Sequence, residues 1–369
     1  MSPDRALALQ LHLEKHAHRY FAEWAQTTPR IQLVRVAPHR SSTLYHFRVG
    51  EGKRFRRLVI KTPPLTEAPA QISPTTAPTV KFRAEYEALF AIHAYFNALQ
   101  DPRFAAIHPL DFIVEHSGVV MEAVQEPSLR GLFAQASRLH PWTDSEKLAR
   151  CFRHAGGWLR AFHAMSRGEY ATPRDVLAQD YFAAIEKFSA FLADALDEKE
   201  FFEHLTRTVI GAARAILPEQ LPLGLTHGDY ALRNLLIGPN CRVRAIDTQA
   251  KWLMPIYEDL AYFLVGLLTT WPQVLSQGLA FSRKTLRHYE QEFLSGYFGR
   301  EPIPRETIRL FKIKILLLKW SANLHRMQQP ETGLQARVTK IRRKFLQRFF
   351  RKCTEELLQA ERQEGRRDA

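Results

Sequence analysis

Two carboxylates and one carboxamide between residues 227 and 247 are the part of this sequence best suited to chemistry. The segment reads Leu225-Thr-His-Gly-Asp-Tyr-Ala-Leu-Arg-Asn-Leu-Leu-Ile237, then a turn, then Val243-Arg-Ala-Ile-Asp247. Apolar runs flank a polar loop holding His227, Asp229 and Asn234, and a second β-type arm closes on Asp247. A loop Asp, an Asn five residues on and an Asp ending the next strand are what phosphoryl transfer from Mg-ATP requires. One carboxylate orients the attacking hydroxyl and accepts its proton, while an amide oxygen and a second carboxylate hold magnesium against the phosphates. The spacing predicts Asn234 and Asp247 on adjacent arms, within reach of one metal cluster.

The flanking sequence must position these groups, and its periodicity changes along the chain. Helical spacing of Leu7, Leu11, Leu13, Tyr20, Phe21 and Trp24 predicts an amphipathic helix over residues 5–25. Three β-type runs follow at 31–37, 43–49 and 55–61, the last two joined by Gly50-Glu-Gly52. Five prolines within 62–80 mark a loop, helical spacing returns over 80–99, and two further strands are expected at 106–115 and 119–124. Beyond Asp144 the pattern is mainly helical apart from the β-rich island that carries the motif. The apolar run 260–271, stopped by Pro272, reads as a buried helix rather than a membrane span, for which it is too short. The fold class is therefore α+β. A helical extension (1–29) precedes a small antiparallel sheet with one helix (30–124), a larger helical part (125–335) and a basic C-terminal helix (336–369).

On these residues the chain resembles the aminoglycoside phosphotransferase-like kinases, distant relatives of protein kinases. The resemblance implies a two-lobe kinase-like fold that uses ATP and Mg2+. It implies Asp229 as the catalytic base, Asn234 and Asp247 as magnesium ligands, and His227 and Asp259 as braces of the catalytic loop. Upstream, Leu58-Val-Ile-Lys61 is an apolar strand ending in a lysine, the arrangement that sets an ammonium over nucleotide phosphates. Glu85 on the next helix is its expected partner, with Glu87 in reserve. Gly118-Val-Val-Met-Glu122-Ala-Val124 resembles the interlobe hinge, so Glu122 and Val124 are expected at the adenine. The turn Pro38-His-Arg-Ser41-Ser42-Thr43 stands where phosphate-loop glycines would be, its backbone amides offered to phosphate. Asp247 is followed by Thr-Gln rather than Phe-Gly and no Ala-Pro-Glu motif follows, which disfavours a protein kinase.

Bulk properties narrow the partner. The chain has 369 residues, 46% of them hydrophobic and 24% charged, the balance of a folded protein with a sizeable core. Three scattered cysteines form neither a disulfide framework nor a zinc spacing, and charges within the first fifteen residues interrupt any secretory signal. A cytoplasmic setting is expected. The net charge is +14, and residues 251–369 hold 22 Lys/Arg against 12 Asp/Glu. That excess opposes a polycationic antibiotic as acceptor and favours a small molecule, sugar, or anionic envelope glycan or glycolipid. Residues 337–352 carry eight basic side chains and no acidic one, with Val338, Ile341, Phe345 and Phe349 at helical spacing. Such a helix either packs its stripe on the larger lobe or lies on an anionic membrane surface. No nucleic-acid motif with aromatic platforms accompanies the charge, so nucleic acid is not an expected partner. The competing function is a catalytically silent kinase-like scaffold at an anionic membrane.

Overall fold

The computed structural model describes residues 3–24, 26–39, 41–52, 54–64, 78–137, 145–165, 171–248, 250–327 and 333–364. The chain divides into two compact units, Met1–Glu126 with Arg244–Ile246, and Pro127–Val243 with Asp247–Ala369. Most of the proline-rich loop, residues 65–77, lies outside the described residues.

The first unit contains helix α1 (Pro3–Tyr20), strands β1 (Ile31–Pro38), β2 (Thr43–Glu51) and β3 (Arg54–Thr62), helix α2 (Pro78–Leu99), and strands β4 (Phe104–Ala105), β5 (Pro109–Ile113) and β6 (Gly118–Glu122). Five strands form an antiparallel sheet in the order β1-β2-β3-β6-β5. Strand alternation sends Tyr45, Phe47, Val49, Leu58 and Ile60 to one face, where they pack with Leu9, Leu13 and Ala17 of α1. Residues 1–29 thus share the sheet's core instead of standing apart from it. Phe82 and Leu89 of α2 pack against Phe112 and Val119 on a second core. The alternation leaves Val59 and Lys61 on the face opposite Leu58 and Ile60. The strand expected over 106–115 is shorter, because a 3-10 turn at Val114–His116 ends in Ser117 with a left-handed backbone.

The second unit contains α3 (Leu129–Gln135), α4 (Ser145–His163), β7 (Thr172–Pro173), α5 (Ala178–Leu196), α6 (Lys199–Ile216), β8 (Leu223–Thr226), β9 (Leu235–Ile237), the first residue of β10 (Val243–Ala245), whose other two belong to the first unit, β11 (Trp252–Pro255) and helices α7 (Tyr257–Leu268), α8 (Trp271–Leu275), α9 (Arg283–Phe298), α10 (Arg305–Arg326) and α11 (Gly333–Glu364). The run expected as one helix over 260–271 is split. Leu260, Phe263, Leu264 and Leu267 are buried in α7, whereas Trp271 begins α8 and is about half exposed. Pro272 explains the break, since it fits the first turn of a new helix and cannot continue an old one.

The buried seam of α11 is Leu346, Phe349 and Phe350, packed with Phe311, Leu317 and Trp320 of α10. Phe345, expected in the buried stripe, is 40% exposed, and the side chains of Val338 and Ile341 lie outside the described residues. The seam runs through Leu346, Phe349 and Phe350 at i, i+3 and i+4, beginning one position on from Phe345. Several of the basic groups serve the fold itself: Arg343 donates to the Ala195 carbonyl and Arg351 pairs with Glu198 at 2.6 Å. Among the described residues no helix is long and apolar enough to cross a membrane.

Helices α4 and α9 approach through two glycines. A Cβ at Gly156 would lie 2.0 Å from the Phe293 carbonyl oxygen, and one at Gly296 would lie 1.8 Å from that of Arg153. Gly211 in α6 faces open space. Gly156→Ala should therefore cost at least ~3 kcal/mol by forcing the helices apart. Gly211→Ala should stabilise by ~0.5–1 kcal/mol through helix propensity alone. Urea denaturation of the two variants checks both signs.

Candidate functional site

In the second unit the loop after β8 is held by one carboxylate. Asp259, 2% exposed in the first turn of α7, accepts the backbone N–H of His227 at 2.6 Å and of Gly228 at 3.1 Å. Nε2 of His163, at the end of α4, lies 3.2 Å from the same carboxylate, and the other ring nitrogen is 2.8 Å from the Tyr297 hydroxyl. Gly228 has φ +80°, a left-handed value that a glycine adopts without a Cβ clash. Two converging N–H groups and a glycine turn are what let a buried carboxylate grip this loop from below.

The residue that follows, Asp229, is 29% exposed at its side chain. Its amide donates to Nδ1 of His227 at 3.3 Å, which leaves the His227 proton on Nε2. That nitrogen is buried without a hydrogen-bond partner among the described residues, beside the rings of Trp158, Phe162 and Tyr230. Burial pushes the His227 pKa down, and Asp259, Asp229 and Asp247 pull against it. The Asn234 amide donates to both the Asp229 carbonyl and a carboxylate oxygen, each at 2.9 Å. Because its NH2 group is spent on Asp229, the Asn234 amide oxygen is the atom left for a ligand.

Asn234 closes a 3-10 turn (Leu232–Asn234) immediately before β9, and Asp247 follows β10. A hairpin turn closed by Gly238 N–H to the Arg242 carbonyl, 2.8 Å, joins the two strands. Asp247 is exposed and takes a left-handed backbone with φ +59°, uncommon outside glycine. Among the described residues no group of three or more His, Cys, Asp or Glu could hold a metal by itself. An amide oxygen and one carboxylate nonetheless suit magnesium, which takes one or two protein oxygens and completes its octahedron with water and phosphate.

Three residues that the sequence reading passed over surround Asp229. Arg233 places Nη2 2.7 and 2.5 Å from the two Asp229 oxygens. Burial pushes the Tyr262 phenol up, as does Asp229 beside it. Lys319 of α10 sits 4.0 Å over the Tyr262 ring and donates to the Tyr262 carbonyl at 3.1 Å. Burial, then the charge of Arg233, push the Lys319 ammonium down to about 7, with Asp229 opposing. Arg233 stood in plain view one position before Asn234. Lys319 has no local signal, since only the packing of α10 on α7 brings it there.

In the first unit, Lys61 Nζ lies 2.6 Å from Glu85 Oε1, and both side chains are roughly four-fifths buried. Glu87 is exposed, so Glu85 is the partner that the helix turn supplies. A cavity of about 890 Å³ opens on the same unit, lined among others by Val34, Arg35, His46, Arg48, Val59 and Val124. Its walls mix aliphatic and basic side chains, and Lys61 and Glu85 are not among them. Val124 lies in that lining and Glu122 does not. The Glu122 amide instead donates to the His108 carbonyl at 3.1 Å, and its carboxylate lies 3.6 Å from the His108 ring. In the β1–β2 turn Ser41 is exposed, but Ser42 is buried and Thr43 wholly so, its hydroxyl without a hydrogen-bond partner among the described residues. Thr43 is already the first residue of β2, and the alternation of that strand turns it inward.

A model of the phosphotransferase enzyme family matches residues 33–297. The chain belongs to that family. Solved structures with the same fold include a spectinomycin phosphotransferase crystallised with ADP and spectinomycin, 13% identical, covering 95% of this chain and 98% of that one at a TM-score of 0.53. A putative aminoglycoside phosphotransferase from Ralstonia eutropha is 15% identical, with 96% and 98% covered at 0.53. An ethanolamine kinase from Plasmodium vivax is 13% identical, with 92% and 86% covered at 0.50. These establish the kinase-like α+β fold. No curated protein matches the sequence.

Two outcomes follow from the loop. Asp259→Ala strips the acceptor from two backbone N–H groups and should cost ~3 kcal/mol or more in chemical denaturation. Burial depresses the folded pKa of His227, and likewise of His16, His46 and His93. The unfolded chain therefore takes up protons near pH ~6.5 that the folded chain does not. Stability should fall as the pH drops through that value, and Lys319, depressed to about 7, extends the same direction of slope above it; melting temperatures between pH 8 and 5 read the slope directly.

Proposed function

We propose that this protein is an ATP- and Mg2+-dependent kinase that phosphorylates a hydroxyl of a small molecule or sugar, an envelope glycan or glycolipid being one candidate acceptor. The observation that carries the reading is the held loop: Asp259 fixes the backbone of His227 and Gly228, and Asn234 fixes the carboxylate of Asp229. A carboxylate that is pinned yet partly exposed is suited to take a proton from a hydroxyl brought against it.

Asp229 is assigned as that base. The acceptor oxygen loses its proton to Asp229 and bonds to the γ-phosphorus, while the bond from that phosphorus to the β–γ bridging oxygen breaks and ADP leaves. Asn234 and Asp247 would hold magnesium, which when bound neutralises charge on the phosphates. Lys61, oriented by Glu85, offers its ammonium to the nucleotide phosphates, and Val59 and Val124 offer apolar surface to the base. Backbone amides around Ser41 and Ser42 remain the candidate phosphate donors of the β1–β2 turn. Asp259 and His227 act on the loop rather than on substrate. The solved relatives support the class of acceptor only broadly, since one is a spectinomycin phosphotransferase and another an ethanolamine kinase.

Transfer from γ-labelled ATP with Mg2+ to a panel of sugars, amino alcohols, aminoglycosides and envelope glycolipid fractions tests this. Label should pass to an acceptor, and Asp229→Asn should lower turnover by a factor of ~10³ or more. Full turnover in Asp229→Asn would remove the assignment. A wild-type protein that binds ATP yet labels nothing would favour the silent scaffold.

A further inference from the structure

The buried cations of α10 are paired, with one exception. Arg309 binds Glu306, Lys312 binds Glu290 at 2.8 Å and Lys314 binds Glu258. Lys319, half-buried on the same helix, makes no ion pair among the described residues. It rests instead on the ring and carbonyl of Tyr262. A burial cost of this kind is normally offset by a directly paired carboxylate; here the Asp229 charge acts only from a distance and is outweighed by burial and Arg233. The ammonium sits beside Arg233, the residue whose guanidinium meets both oxygens of Asp229. One nitrogen of that guanidinium, Nη2, carries both bonds, so the planar fork retains donors of the kind that phosphate and carboxylate take.

We propose that Arg233 and Lys319, with Tyr262 as the platform between them, form an anion subsite beside Asp229 that selects acceptors bearing a phosphate or carboxylate close to the hydroxyl to be phosphorylated. This rests on the kinase reading and narrows it to a substrate class. An anion placed there supplies the direct ion-pair partner that Lys319 lacks among the described residues. An ammonium-bearing acceptor would meet two like charges at the same place and be rejected. Neither residue needs to take part in bond making, and both are positioning residues.

The experiment compares matched acceptors: glycerol with glycerol 3-phosphate and glycerate, glucose with glucose 6-phosphate and gluconate, and choline as the cation. The phosphate and carboxylate arms separate the two sources of negative charge. The wild type should favour the anionic member of a pair in kcat/KM by about tenfold or more, mainly through KM. Lys319→Gln should cut that ratio by about tenfold, and Lys319→Arg should restore most of it. The groups facing Lys319 are Asp229 and Arg233 from the loop and Tyr262 from α7. As pH rises through about 7 the ammonium loses its proton, so KM for the anionic acceptor should climb while the neutral member shows no matching change. Better turnover of choline or of the neutral members would overturn the proposal. So would an equal fall for both members in Lys319→Gln, which would assign the cations to the transferring phosphate. Absence of transfer to every acceptor in the wild type would instead defeat the kinase reading on which it stands.

Discussion

The carboxylate of Asp259 is the point on which the second unit turns. It gathers two backbone N–H groups of the catalytic-type loop and one imidazole, and it does so from a site only 2% exposed. A buried carboxylate is costly unless such donors surround it. The loop N–H groups would in turn be orphaned without the carboxylate. Each solves the problem of the other, which ties the position of Asp229 to α7 and, through His163, to α4. The tight seat of α4 on α9 at Gly156 and Gly296 belongs to the same device, because α4 carries both His163 and the Trp158 ring beside His227.

The first unit solves a different problem, presenting a cation and an apolar wall on one strand. Period-two alternation along β3 does this without special devices: Leu58 and Ile60 are buried against the α1 face, which leaves Val59 and Lys61 for the other. Glu85 then fixes the lysine by an ion pair with both partners largely removed from water, where a charge pair is stronger than at the surface.

Much of this was legible in the sequence, and the parts that were not share a cause. The antiparallel strands, the helix with Glu85 and the loop motif follow from local periodicity and spacing, which the chain carries within windows of about twenty residues. The break of the apolar run at Trp271, the inward turn of Thr43 and the shift of the α11 seam from Phe345 to Leu346 depend on which face a neighbour covers. Lys319 is the extreme case. Nothing around it distinguishes it from Lys312 or Lys314, and only the fold shows that those two have ion-pair partners while among the described residues it has none.

Single-turnover transfer in Asp259→Asn, measured beside its nucleotide affinity, tests the central claim that a held loop makes Asp229 competent. The account predicts a rate lowered by at least ~100-fold with nucleotide affinity within about threefold of the wild type, because the damage falls on the base and not on the nucleotide. A folded Asp259→Asn protein that transfers phosphate at the wild-type rate would contradict it.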